Sequence, residues 1–199
     1  MIEHLPTLVQ LIRHLQQVPY LASKNIYRVA DYIVSLDPHK AEQLCKAILD
    51  AKKNIIQCNE CCSWQEKNRS CVYCTSPKRD RSIICVVETW QELMSIEKTA
   101  GYQGVYHVLG GVISPLDGVG PEDLTINQLL QRINDSTHEV ILATNQTPEG
   151  EATAAFIASK LKKFPITISC LARGIPVGSS LEYIDKLTVY KALSERRPF

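Results

Sequence analysis

Cys58-Asn59-Glu60-Cys61, followed nine residues later by Cys71-Val72-Tyr73-Cys74, decides how the rest of the chain is read. Each C-x2-C pair fits one tight turn. Two facing turns set four thiolates at the corners of a tetrahedron, the arrangement Zn²⁺ takes in closed structural sites. The spacing predicts one structural Zn²⁺ per chain, held by Cys58, Cys61, Cys71 and Cys74. Cys62 is an alternative to Cys61, but it makes the less compact C-x3-C loop and is read as a spare whose replacement is nearly silent. A thiol redox role is disfavoured, because a redox pair stands alone whereas two pairs at finger spacing suit a metal. Upstream of the cysteines the pattern is helical; downstream, strands and helices alternate. The cysteines are therefore read as a clamp between two domains.

The 199 residues suffice for one large or two small domains, and 45% apolar with 22% charged residues is ordinary for a soluble globular protein. No apolar run approaches the ~20 residues of a membrane span, and Met1-Ile2-Glu3-His4 does not begin a secretory signal. Cys45, Cys85 and Cys170 lie in apolar periodic segments and are read as reduced, buried thiols, which fits the cytoplasm. Residues 1–87 carry 12 Lys and Arg against 8 Asp and Glu, a net +4, and residues 88–199 carry a net −3. A polyanion is expected to meet the N-terminal part first.

Ile2, Leu5, Leu8, Val9, Ile12 and Leu15 recur at helical spacing. After the break Val18-Pro19-Tyr20-Leu21-Ala22, Ser23 is read as the N-cap of a second helix that turns Ile26, Val29, Ala30, Ile33 and Val34 inward. A third helix is expected from Pro38 to Ile56. Helix, short hairpin, helix outlines a unit that holds DNA backbone without reading sequence. Lys24 and Arg28, four apart on one face, are its candidate phosphate contacts; the competing reading is a plain three-helix bundle with two solvated cations.

Ile83-Ile84-Cys85-Val86-Val87 reads as a strand buried on both faces. Thr89-Trp90-Gln91-Glu92 is a capping box opening a helix. Further strands are expected at 104–109, 140–143 and 166–171, with helices capped by Thr125 and over 149–164. The alternation predicts a parallel α/β sheet, and such sheets bind ligands at the carboxyl ends of their strands. The residues just past the strands include Glu88, Asn145, Glu149 and Glu151. Carboxylates gathered there can hold Mg²⁺, although Glu149 and Glu151 also suit a helix N-terminus.

Several of these stretches resemble the bacterial recombination mediator family RecR. They are Ile84-Cys85-Val86-Val87-Glu88; Tyr106-His107-Val108-Leu109-Gly110-Gly111; Ser114-Pro115-Leu116-Asp117-Gly118-Val119-Gly120-Pro121; Ala143-Thr144-Asn145; Glu149-Gly150-Glu151-Ala152-Thr153-Ala154; and Ala172-Arg173-Gly174-Ile175-Pro176-Val177-Gly178. The resemblance covers nearly the whole chain. It implies an α+β multidomain protein: a helix-hairpin-helix domain over 1–57, a four-cysteine zinc finger over 58–77, a Toprim domain over 81–176 and a C-terminal segment over 177–199. In that last segment Leu181-Glu182-Tyr183-Ile184-Asp185 is similar to a Walker B strand, yet no phosphate-binding loop accompanies it, which leaves nucleotide binding open. The family implies ring-like tetramers that surround DNA and act with RecO and RecF to load RecA onto gapped DNA.

Two departures shape the expected chemistry. Enzymatic Toprim domains carry a Glu after the first strand and Asp-x-Asp after a later one; here Glu88 matches, but Asn145 and Thr147 stand at the two Asp positions. Losing two anionic ligands weakens Mg²⁺ binding and with it phosphoryl-transfer chemistry. The expectation is a non-catalytic DNA-binding clamp whose Toprim edge, Glu88, Asn145, Glu149 and Glu151, receives a basic partner such as RecO. The alternative is a metal-dependent Toprim nuclease or strand-transferase using Glu88, Glu149 and Glu151. The second departure lies in the hairpin, glycine-rich in the family but Pro19-Tyr20-Leu21-Ala22-Ser23 here, with no residue suited to φ > 0. Lys24 and Arg28 are then expected to carry the DNA contact, with Lys78, Arg79 and Arg81 as the fallback.

Overall fold

Apolar residues three and four apart bring α1 (Pro6–Gln16) and α2 (Ser23–Ser35) together around Ile12, Ile26 and Ala30, with Leu8, Leu11, Leu15 and Leu21 packed on them. Asp37 caps α3 (Pro38–Asn54) by accepting from the His39 amide, and Pro38 sits at its first position. Three details differ from the sequence expectation. Ser23 is the first residue of α2 rather than its cap, and no side chain caps that end. Val34 is exposed. α3 buries none of its residues, so Leu44, Ile48, Leu49 and Cys45 all face out.

The computed structural model describes every residue except Met1, Glu3, Arg197 and Phe199. The chain divides into two units, residues 1–55 and 56–199. The second contains both the cysteine finger and the sheet. The finger is β1 (Ile55–Gln57), β2 (Trp64–Glu66), which pairs with β1, and the one-turn α4 (Val72–Thr75).

β3 (Asp80–Val87), β4 (Gly104–Val108), β5 (Glu139–Leu142) and β6 (Thr167–Cys170) form one parallel sheet in the order β4-β3-β5-β6. The register places Ile84 opposite Val105 and Val140, and Cys85 opposite Tyr106 and Ile141. Successive side chains of a strand point to opposite faces. Ile84 and Val86 therefore share one face with Val105, Val140 and Leu142, covered by α6 (Ile126–Arg132) and α7 (Pro148–Leu161) through Leu129, Ile157 and Leu161. Cys85 and Val87 share the other with Tyr106 and Val108, covered by α5 (Trp90–Glu97) through Leu93 and by Cys62 of the finger. Each such side chain contributes on the order of 2 kcal/mol by burial. α5 begins with the expected capping box, Thr89 and Glu92 bonding reciprocally. Thr125 does not cap α6; its hydroxyl donates to the Val108 carbonyl at 2.6 Å instead. Cys85 is buried as expected, whereas Cys170, on the sheet's edge strand, is exposed. α8 (Lys186–Ser194), capped by Asp185, ends the described fold.

Candidate functional site

The first cysteine turn is closed by backbone bonds, the Cys58 amide to the Ser63 carbonyl at 2.7 Å and the Cys62 amide to the Cys58 carbonyl at 2.9 Å. The second begins α4: the Cys71 carbonyl accepts from the Cys74 and Thr75 amides at 3.2 and 3.0 Å. Together they bring Cys58, Cys61, Cys71 and Cys74, all buried, to a point where the four sulfurs lie within 4.8 Å of one another. The Cys58–Cys74 and Cys61–Cys71 separations are 3.9 and 3.5 Å. A tetrahedron with ~2.3 Å metal–sulfur bonds has edges of about 3.8 Å, so the donor set fits a tetrahedral S₄ ion. Hydrogen bonds among the sulfurs push the Cys61 and Cys74 thiols up and hold Cys71 well down. A divalent cation bound by the four sulfurs would stabilise them as thiolates.

Cys62 takes no part in this cluster. Its φ of +58° turns the side chain the other way, into the apolar group of Cys85, Val87, Leu93, Tyr106, Val108 and Ala143. It is a core residue rather than a dispensable spare. Cys62→Ser places a hydroxyl in that group and is expected to cost about 1–2 kcal/mol with full metal retention.

The finger is joined to the sheet by more than packing. The Val108 amide donates to the Cys61 carbonyl at 2.9 Å, so the first turn continues the hydrogen bonding of β4. Glu60 pairs with Arg81 at 3.0 Å and with Arg132 at 3.7 Å, and Arg132 also donates to the Tyr106 carbonyl at 2.7 Å and to His107 Nδ1 at 3.1 Å. Burial first, and then Arg132, depress His107 to about 4, which keeps it neutral. Its Nε2–H therefore faces the Thr125 carbonyl at 3.0 Å. Arg79 is held inside the molecule by Glu97 at 2.6 Å and the Gly104 carbonyl at 2.9 Å, against the Tyr73 and Tyr106 rings. Of the fallback DNA contacts, Arg79 is thus engaged within the protein, whereas Arg81, paired only at the surface, and Lys78 stay exposed.

At the carboxyl ends of the strands, Glu88 is buried and its carboxylate is gripped by Asn145. The Asn145 backbone amide donates to Oε1 and its side-chain amide to Oε2, each at 2.6 Å. α7 begins against this pair at Gly150, where an added Cβ would lie 2.2 Å from the Asn145 carbonyl oxygen and 2.8 Å from Glu88 Oε1. Thr147, at the second position where an enzyme has Asp, caps α7 by accepting from the Gly150 amide at 3.1 Å. Gly150→Ala is therefore expected to displace α7 and destabilise the protein by about 3 kcal/mol in denaturant titration, opposite in sign to an ordinary helical Gly→Ala exchange, which stabilises by up to about 1 kcal/mol.

This geometry corrects the acidic rim. Glu88 is turned inward onto Asn145 and presents no carboxylate to a partner. Glu151 pairs with Lys191 of α8 at 2.9 Å and Arg173 at 3.4 Å, and these cations, Lys191 first, hold its carboxyl below the usual range. Glu149 is the carboxylate of the set that is neither buried, as Glu88 is, nor ion-paired among the described residues, as Glu151 is. Sequence reasoning does not reach the roles of Gly150 as a contact surface and of Lys191 as a clamp; a glycine inside the first turn of a helix is the available signal for the former. In the N-terminal unit, Lys24 and Arg28 both stand exposed on α2.

Residues 82–172 match the Toprim domain model and residues 174–197 match the model described as RecR, C-terminal. The chain is 45% identical to the recombination protein RecR of Tropheryma whipplei (strain TW08/27) over 94% of either sequence. It is 44% identical to that of Desulfitobacterium hafniense (strain DSM 10664 / DCB-2) over 96% of this chain and 94% of the relative. The RecR of Rubrobacter xylanophilus is 43% identical over 94% of each.

Proposed function

Because the chain belongs to the RecR family of recombination proteins, we propose that it works in recombinational DNA repair as a non-catalytic clamp: DNA is held without sequence preference, and partner proteins are received at the Toprim edge. The observation that carries the non-catalytic reading is the Glu88–Asn145 pair. A carboxylate that accepts a short hydrogen bond on each oxygen from one asparagine is turned toward that asparagine, and an amide cannot take the place of a second anionic ligand for Mg²⁺. With Asn145 and Thr147 at two of the ligand positions, and Thr147 spent on capping α7, two of the anions that would hold a metal against a phosphoryl transition state are replaced by neutral groups.

The metal on the four cysteines is Zn²⁺ in this reading, one per chain and structural: a closed tetrahedral thiolate set has no open position for substrate. Assembly into a ring, with four copies as the family resemblance implies, is supported by the apolar faces left open on α3 (Leu44, Ile48, Leu49) and α8 (Leu187, Tyr190, Leu193). RecO and RecF are the partners implied, with RecA loading the outcome, and Glu149 offers the carboxylate for a basic surface. No helix among the described residues is long and apolar enough to cross a membrane; the cytoplasm is the proposed setting.

DNA contact is assigned to Lys24 and Arg28. Such contacts release counterions, so affinity falls with salt, and a ring multiplies a weak patch into useful avidity. The double variant Lys24→Ala/Arg28→Ala is expected to lower affinity alike for all sequences and to flatten the log–log salt slope by roughly one unit for each phosphate no longer neutralised. Fluorescence anisotropy across a salt series measures it. An unchanged slope would move the DNA site away from α2. Glu149→Ala is expected to weaken capture of RecO with metal content intact, and equal capture would remove that residue from the interface.

A further inference from the structure

The hairpin between α1 and α2 keeps a conformation that its sequence disfavours. Val18, Pro19, Tyr20 and Leu21 form a turn closed by the Leu21 amide on the Val18 carbonyl at 3.3 Å. Pro19 occupies the position that a fixed φ near −65° favours. The next position takes left-handed backbone, and there Tyr20 has φ of +63°. Glycine is the usual occupant of that position. A side chain there clashes with its own carbonyl, at a strain that a bulky aromatic does not relieve by any hydrogen bond of its own.

Nor does Tyr20 recover that strain by packing. Its ring is fully exposed and makes no hydrogen bond or aromatic contact among the described residues. It stands at the entry to α2, four residues ahead of Lys24 and eight ahead of Arg28, so the turn and the cationic face are adjacent along the chain. Tyr27 is also exposed, three residues beyond Lys24 and hence on the neighbouring strip of the same helix. Exposed aromatic rings beside cations that track a phosphate backbone are the components of a stacking platform for unpaired bases. A duplex hides its base faces and gives such rings nothing to stack on, whereas a single strand offers a face at every nucleotide.

We propose that Tyr20, held out by the left-handed turn and assisted by Tyr27, stacks on an unpaired base, so that this protein prefers single-stranded DNA or the gap of a gapped duplex over intact duplex. The inference rests on the assignment of DNA contact to α2. It makes that surface a reader of strandedness as well as of charge.

The turn allows an unusual test, because strain and binding pull in opposite directions. In the full-length, metal-loaded protein, Tyr20→Gly is expected to raise the thermal midpoint by relieving the turn, yet to weaken affinity for a labelled single strand about ten-fold. Duplex affinity should stay within about two-fold, and the salt slope should not change, because no charge is removed. Tyr20→Phe should retain the single-strand affinity, since the ring and not the hydroxyl stacks. Equal weakening for both DNA forms, or none for either, overturns the proposal. So does a change in native mass on Tyr20→Gly, which would mark the ring as a contact between copies. If the unaltered protein binds neither form, it is the DNA assignment on α2 that fails; if it binds both and Tyr20→Gly changes nothing, only the stacking role fails.

Discussion

Cys61→Ser, or the same exchange at Cys58, Cys71 or Cys74, should release the metal and lower the stability of the 56–199 unit by several kcal/mol. Structural zinc contributes folding free energy directly, because the liganding turns have little core of their own. Around the ligands the finger buries its own sulfurs with Tyr73 packed on them, and its share in a larger core is Cys62. The damage is expected to spread beyond the finger. Cys61 also offers its carbonyl to Val108, and Cys62, one residue on, fills the apolar group between β3, β4 and α5. Loss of the turn therefore opens the sheet face that Leu93 and Tyr106 share. Metal content by mass spectrometry, read beside urea denaturation, tests this. Each ligand variant should lose its ion and show an earlier transition, as should the unaltered protein treated with a chelator. The contrast is Cys62→Ser, which should keep the ion. Metal loss in Cys62→Ser with retention in Cys61→Ser would overturn the ligand set.

Asn145→Asp should be the most damaging single-atom exchange at the strand ends. It removes the amide that donates to Glu88 Oε2 at 2.6 Å and substitutes a second carboxylate in its place. A hydrogen bond to a charged group is worth about 1.5–3 kcal/mol, and two carboxylates at such a separation do not both ionise comfortably. The expected loss at neutral pH is about 2–4 kcal/mol, discounted because Asn145 itself is reached by water. The sign of the pH dependence follows. The Asp–Glu pair in the folded variant has a raised apparent pKa, so the folded state binds more protons than the unfolded one, and the deficit shrinks as pH falls toward the ordinary carboxylate range. Millimolar Mg²⁺ or Mn²⁺ should also recover part of it, because the exchange restores one of the two missing anionic ligands. Neither the variant nor the unaltered protein is expected to cleave DNA, since Thr147 still caps α7. Metal-dependent cleavage by the unaltered protein that disappears in Glu88→Ala would return the enzyme reading to first place.

What the sequence discloses and what it withholds divide by the range of the interaction. The C-x2-C turns, the capping box at Thr89 and the alternation of strands with helices are set within a few residues, and each stands where expected. The engagement of Glu88 is not legible, because its partner lies 57 residues away and nothing near Glu88 announces it. Arg79 reads as one more cation in a basic linker; Glu97 and the aromatic pair around it are contributed by α5, α4 and β4. Cys62 carries the chemistry of its neighbours, and only the left-handed φ separates its fate from theirs. Cys45 departs from expectation for a different reason. Helical periodicity places it on an apolar face, but α3 buries none of its residues and Cys45 is exposed with the rest of that face.

The bond from Val108 to Cys61 bears on how the protein is made. The cysteine turns span residues 58–74 and precede β3 and β4 in the chain, so during synthesis they leave the ribosome first. Their ligands are close in sequence, and closing so short a loop around an ion requires no part of the sheet. The sheet is the slow partner: its parallel pairs join β3 to β5 across more than fifty residues, and β6 is added later still. A metal-set turn that already exposes the Cys61 carbonyl gives β4 a fixed acceptor as it emerges, and it caps one side of the sheet before the last strands arrive. An ion bound there would then serve as a timing device for assembly, shortening the interval in which an unfinished, apolar sheet stands open to its neighbours.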